Sequence, residues 1–211
     1  MTTTARGRRG SSHRKGDATE QAILETTARL LAEAPLRDVS VEAIARGAGI
    51  SRPSFYFYFA AKEDVLLTLV DRATAWLEDQ VLAAHRTVAD DPRRGFADGI
   101  AATARLWDVH GPVLRAAAET AAADERVRAA WDLTLRRFVE ANAALIGAER
   151  ERGAAPAGDA SPEELATALV LLNERSFQAR ALGGSVALAS ARAVPVLTEL
   201  WLRAVYGGRA P

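Results

Sequence analysis

Residues 41–67 read VEAIARGAGISRPSFYFYFAAKEDVLL, and this stretch decides the fold. Ser40 offers an N-cap oxygen to a short helical segment, Val41 to Arg46. Gly47 and Gly49 supply the permissive backbone that a tight turn needs. Ser51 caps a second segment, with Arg52 and Pro53 in its first turn, where a missing amide hydrogen costs little. Lys62 opens a longer helix whose Val65, Leu66, Leu69, Val70 and Ala73 recur at helical spacing towards Trp76.

Two short helices joined by a glycine turn form the pattern of a helix-turn-helix, whose second helix enters the DNA major groove. The second segment, SRPSFYFYF, carries polar and aromatic groups where a buried helix would hold aliphatic ones. Ser51, Arg52, Pro53 and Ser54 sit at its N-terminus, placed for phosphates or base edges. Tyr56 and Tyr58 are candidate phosphate donors, Phe57 a candidate contact for thymine methyls, and Lys62 a further phosphate contact. Ser40, at the start of the first segment, completes the DNA-binding set, while Phe55 and Phe59 read as core. An aromatic core cluster accounts for those two but not for the Arg, Ser and Tyr residues between them.

Charge supports a basic head. The 211 residues sum to a net charge of zero. Residues 1–62 nevertheless hold ten Lys or Arg against six Asp or Glu, and the remainder holds seventeen against twenty-one. Residues 1–16 are Thr, Ser, Gly and Arg with no apolar period, so they read as a disordered basic arm in which Arg6, Arg8, Arg9, Arg14 and Lys15 could touch phosphate or a minor groove.

Working outward, Ile23, Ala28, Leu30 and Leu31 mark a first helix from Asp17 to about Ala34, stopped by Pro35. Breakers at Asp90 to Gly95, Gly111-Pro112, Gly153 to Pro162 and Gly183-Gly184 divide the rest into helices near 96–109, 113–120, 126–152, 163–181 and 187–206, with Pro195 a candidate kink. No alternating β-branched run or hairpin dipeptide appears, so the class is all-α. The organisation expected is an arm (1–16), a DNA-binding head (17–62) and a ligand-binding, dimerising body (63–211).

The chain has no cysteine, which excludes disulfides and thiolate chemistry and fits a reducing cytoplasm. Neither a membrane span nor an apolar signal-peptide core is present, so cytoplasm is the expected compartment. No Ser-His-Asp elbow, phosphate loop or HExxH occurs, and His13, His85 and His110 lack metal-ligand spacing. An enzyme, a metal and a cofactor are therefore not expected. Asp90 and Asp91 read as a solvated loop, and Glu149 to Arg152 as a charged helix end.

The stretch 41–67 resembles the TetR-family DNA-binding signature: glycine turn, small hydroxyl residue, tyrosine, aromatic pair and lysine in register. RPSFYFYF, KEDVLLTLVDR, AERERGAAP, ELATAL, LNER and AVYG extend the likeness to one branch of that family, over about residues 17–208. The resemblance implies a nine-helix subunit, a homodimer paired through the last two helices (about 163–181 and 187–206), and a small molecule in the body that releases operator DNA.

Phe96, Ile100, Thr103 and Trp107 align along one helical stripe, and Trp131, Leu135, Phe138 and Asn142 along a second. Asn173, Glu174, Phe177 and Gln178 lie on a third segment, and Trp201 on the last. From the residues alone these are ordinary core. The resemblance implies instead that they line a pocket for a mostly apolar effector, with Asn173 orienting a carbonyl or amide. Thr103 and Gln178 stand where that branch has aromatic side chains, and Phe138 where it has tryptophan, which implies a more polar or reshaped cavity. A ligand-responsive repressor is the expected function; an activator on the same fold, or a helical small-molecule carrier without DNA binding, are the alternatives.

Overall fold

A computed structural model describes the backbone of residues 7–207 and the side chains of residues 16–207. Among the described residues there are eight α-helices, one 3-10 turn and no strand. The helices are α1 (Gly7–Glu33), α2 (Val41–Gly47), α3 (Arg52–Phe55), α4 (Lys62–Val88), α5 (Pro92–Ala121), α6 (Glu125–Glu151), α7 (Pro162–Ala181) and α8 (Ser190–Tyr206), with the 3-10 turn at Leu36–Asp38. The chain divides into two compact units, Met1–Val70 and Asp71–Pro211, so the boundary falls inside α4 rather than at its first residue.

In the first unit α1 packs on α2 and α2 on α3. Ile23, Leu24, Leu31, Leu36, Val39, Ile44, Ala45, Phe55, Phe59, Val65, Leu66 and Val70 are its buried apolar side chains among the described residues. Pro35 ends α1 as expected and caps the 3-10 turn. Ser40 Oγ accepts from the Ala43 amide at 3.1 Å, and Ser51 Oγ from the Ser54 amide at 3.2 Å, which starts α2 and α3 where the sequence places them. Gly49 has φ +70°, a left-handed conformation that L side chains adopt at a cost. At Gly47 a Cβ would lie 2.5 Å from Thr26 Cγ2, so the glycine permits the close approach of α2 to α1.

The first helix departs from expectation. It reaches back to Gly7, ten residues before Asp17, so residues 7–16 are helical rather than an irregular arm. Once α1 is nucleated, each further residue at its end fixes one dihedral pair for one hydrogen bond, and propagation needs no apolar period. Residues 1–6 and the side chains of Arg6, Arg8, Arg9, Arg14 and Lys15 lie outside the described residues.

In the second unit α5, α6 and α7 pack on one another and α8 packs on α5 and α7. Asp91, Asp124 and Ser161 cap α5, α6 and α7 through their side chains, and Ser161 with Glu164 closes a reciprocal capping box. Asp91 is thus an N-cap rather than mere loop. The break expected at Gly111-Pro112 does not occur: α5 runs through it, which reduces nine helices to eight. Pro112 deprives only the Asp108 carbonyl of its amide, on an exposed residue that water can serve, while Leu106, Trp107, Val113 and Leu114 hold both halves in one core.

The charged end of α6 is another correction, because Glu149 is 2% exposed. Its carboxylate accepts from Tyr206 Oη at 2.5 Å and from Arg152 Nε and Nη2 at 2.8 and 2.5 Å, fastening the end of α8 to α6. A buried carboxylate requires such donors. No helix among the described residues is long and apolar enough to cross a membrane.

Candidate DNA interface and body cavity

The second half of the helix-turn-helix is short. After α3 the chain continues as turns, with Phe57 N bonded to Ser54 O, and Tyr58 N and Phe59 N both bonded to Phe55 O. This winding directs Phe55 and Phe59, four apart, into the core with ring centroids 6.1 Å apart. The three aromatics between them face out: Tyr56 is 47%, Phe57 93% and Tyr58 37% exposed. Leaving three adjacent rings in water is unfavourable unless something covers them.

Arg52 and Pro53 are exposed beside these rings. The Arg52 guanidinium lies 6.0 Å from the Tyr56 ring centroid, and Nη2 donates to Tyr56 Oη at 3.4 Å. That hydrogen bond raises the already high Arg52 value, so its charge is permanent. Ser51 Oγ and Ser54 Oγ are 2.8 Å apart, sharing one hydroxyl hydrogen and leaving the other to donate outward. Ser40 is exposed and keeps its own hydroxyl hydrogen, since as a cap it only accepts.

Lys62 stands elsewhere. Its Nζ donates to the backbone carbonyls of Leu36, Arg37 and Val39 at 2.7, 3.2 and 2.9 Å. All three ammonium hydrogens are thereby committed, and the side chain braces the start of α4 against the 3-10 turn rather than reaching for phosphate. The sequence signal was real, a lysine at a helix start, but the carbonyls that claim it come from a segment 25 residues away.

The second unit encloses a cavity of about 90 Å³. A single water needs roughly 10–15 Å³ by a comparable measure, so this is no packing defect. Phe96, Ile100, Thr103 and Trp107 of α5 line it as one stripe, and Trp131, Leu135, Phe138 and Asn142 of α6 as another. Asn173 and Glu174 of α7 and Trp201 of α8 complete the expected wall. Phe177 and Gln178 do not take part, lying one turn farther along α7. Phe177 is wholly buried in the core with the Arg180 guanidinium 5.7 Å from its ring, and Gln178 accepts from Arg175 Nη1 at 2.7 Å.

Sequence reasoning missed the contribution of α4. Thr74, Leu77, Val81 and His85 also line the cavity, at i, i+3, i+7 and i+11. The same periodicity that marked the α5 stripe was available there. Thr134, Leu114 and Val170 are further additions.

The polar groups of the wall are mostly accounted for. Asn142 Nδ2 donates to the Phe138 carbonyl at 2.8 Å, so its Oδ1, 3.1 Å from His85 Nε2, accepts from a protonated ring nitrogen. Burial lowers the His85 value, and the Asn142 bond offsets only part of that. Trp201 Nε1 donates to Asn173 Oδ1 at 3.1 Å, which orients that amide. Thr103 and Thr134 hydroxyls return to the Gly99 and Ala130 carbonyls of their own helices. Glu174 differs, being half-buried and raised by that burial, with no hydrogen bond or ion pair to any described residue.

Residues 23–69 match the family model described as bacterial regulatory proteins, tetR family, and residues 96–207 match that of the C-terminal domain of transcriptional regulator EthR. The chain belongs to the TetR family of transcriptional regulators. The HTH-type transcriptional regulator EthR of Mycolicibacterium smegmatis is 40% identical over 208 residues, which cover 98% of this chain and 94% of that one. EthR of Mycobacterium tuberculosis is also 40% identical, over 219 residues covering 98% and 99%. A crystal structure of a TetR-family regulator from Syntrophomonas wolfei superposes with a TM-score of 0.75 over 92% of this chain and 98% of its own; at 14% identity it speaks for the fold alone. The TetR-family chain is thus an EthR-like helix-turn-helix regulator, not an enzyme. Among the described residues no cluster of His, Asp or Glu could hold a metal ion.

Proposed function

We propose that this TetR-family regulator is a repressor that grips an inverted-repeat operator as a homodimer and lets go when a small, mostly apolar effector fills the body cavity. The observation that carries the reading is the cavity wall, five aromatic side chains with a few fixed polar groups inside the EthR-type body. In the head, Arg52, the Ser40 hydroxyl and the one hydroxyl that the Ser51–Ser54 pair turns outward hold phosphates, Tyr56 and Tyr58 add phenolic donors, and Phe57 lies on thymine methyls. Lys62 acts on DNA only by holding the head together.

The second copy docks on α7 and α8. Leu171, Leu172 and Leu200 of those helices and Leu182 just beyond α7 are exposed large apolar side chains, the kind of face a homodimer covers. Asn173, whose oxygen is held by Trp201, keeps its Nδ2 for a carbonyl on the effector. Release follows from differential affinity, and moving the protein from 99:1 bound-competent to 1:99 requires about 10⁴-fold tighter effector binding to the incompetent state. Since α4 runs through both units, it is the covalent route between cavity and head. A regulator of this kind works where the chromosome is, in the cytoplasm.

The test is fluorescence anisotropy on DNA from the protein's own upstream region, titrated with a series of medium-chain methyl esters. The proposal expects release by an ester that fits, and loss of that release in Thr103→Trp, which fills the cavity without touching the head. Release that persists unchanged in the filled variant contradicts it. Effector-dependent tightening on DNA, instead of release, would favour the activator.

A further inference from the structure

Among the described residues the cavity wall holds one acidic side chain and no Lys or Arg. Its other titratable side chain, His85, is biased towards the neutral form by burial, which its bond to Asn142 offsets only in part. Glu174 lines this wall half-buried, and no described residue gives it a hydrogen bond or an ion pair. Its neighbour Arg175 is exposed and donates to Gln178; its charge stabilises the Glu174 carboxylate, but by less than burial destabilises it.

A carboxylate removed from water without a donor is costly, whereas the same group facing an ammonium is stabilised. The rest of the wall also suits a cation. Phe96, Trp107, Trp131, Phe138 and Trp201 present aromatic surface, and Phe96 and Trp201 stand with centroids 5.4 Å apart. Aromatic faces attract ammonium groups most strongly where water is excluded. A fatty carboxylate meets the opposite situation, like charge and no donor stronger than an amide.

We infer that the effector is an apolar amine, whose ammonium pairs with Glu174 among the cavity aromatics while its hydrocarbon fills the remainder. The inference rests on the reading of this cavity as the effector site. It gives Glu174 a function that neither packing nor the neighbouring polar network uses. The ligand class is defined by one protonated nitrogen on a medium-length hydrocarbon, with no requirement for an acid or phosphate.

Three ligands with the same chain separate the possibilities: decylamine, 1-decanol and decanoate, titrated at pH 7 into the full-length protein by calorimetry and by tryptophan fluorescence. The expected order is amine at least tenfold tighter than alcohol, and alcohol tighter than carboxylate. Glu174→Gln should bring the amine-to-alcohol ratio to within about twofold. Glu174→Asp, which keeps the charge and most of the volume, should retain an amine preference and covers the case in which the glutamine variant folds poorly. Equal binding of amine and alcohol in the wild type, or an unchanged ratio in Glu174→Gln, overturns the inference. If the alcohol binds, and Thr103→Trp abolishes it, while the amine has no advantage, the cavity reading stands and the amine fails. If none of the three binds, both fall.

Discussion

The Lys62 ammonium donates to the Leu36 carbonyl at 2.7 Å, and with its bonds to Arg37 and Val39 it gathers the end of one segment onto the first turn of α4. A lysine beside a DNA-facing surface therefore acts as a strut. Phosphate contact and strut make different forecasts. Removing a phosphate contact lowers the salt dependence of DNA binding; removing a strut lowers the stability of the head and leaves that slope in place.

Lys62→Met is expected to destabilise the head by about 2–3 kcal/mol, the usual scale for hydrogen bonds from a charged donor to otherwise unserved carbonyls. Denaturant titration followed by Tyr fluorescence and far-UV dichroism reads this loss. The slope of log K against log salt should match that of the wild type. A slope reduced by roughly one, with stability intact, would return Lys62 to the phosphate.

Arg52→Ala should do the reverse. Arg52 is exposed, and among the described residues its one side-chain hydrogen bond is to Tyr56, so stability should hardly change. Operator affinity should fall, with the salt slope smaller by about 0.9, one counterion fewer released. Anisotropy at four salt concentrations measures both.

Phe57 is 93% exposed, so Phe57→Ala is neutral for folding. If the ring lies on thymine methyls, the variant should lose about 1–3 kcal/mol of discrimination at one A·T position and keep its affinity for nonspecific DNA. Binding to an operator set substituted at single positions checks this. A uniform loss across all positions would assign Phe57 to the backbone.

Burial pushes His85 and His110 below the ordinary histidine value. The unfolded chain therefore binds more protons than the folded one between the depressed folded value and about pH 6.5. That stability is present above pH 6.5 and is lost as pH falls through the folded value. Glu174, raised by burial in the same cavity, acts oppositely, since protonation relieves it as pH drops towards the carboxylate range. Calorimetric Tm should decline from pH 7.5 to 5.5, and His85→Gln should flatten part of that decline. A decline identical in the variant would mean that His85 does not carry it.

At the end of α8, Tyr206→Phe should cost about 1–3 kcal/mol, because it leaves buried Glu149 one donor short. Double substitution with Glu149→Gln should cost less than the sum of the two single changes. Thermal melts of the four proteins complete the cycle.

What could be read from sequence follows the range of each interaction. The starts of α2 and α3 were legible because Ser40 and Ser51 cap within three residues of themselves. The outward placement of Tyr56, Phe57 and Tyr58 between Phe55 and Phe59 was legible from spacing alone. Partners distant in sequence were not: nothing local marks that Lys62 meets Leu36, or that Glu149 meets Tyr206 across 57 residues. Gly111-Pro112 misled because local breaker chemistry yielded to a core that grips α5 on both sides of it. On the cavity wall, α4 was overlooked although its stripe had the same period as that of α5, since Leu and Val at such positions are the common content of any core.

The central claim is that residues 51–58 face a DNA duplex. Footprinting the full-length protein on its own upstream DNA at low salt tests it most directly, alongside the double variant Arg52→Ala and Phe57→Ala. The account predicts a protected inverted repeat with the wild type and no protection with a variant that melts at the same temperature. A wild-type protein that leaves double-stranded DNA unprotected, or a double variant that protects the same repeat equally well, would contradict it.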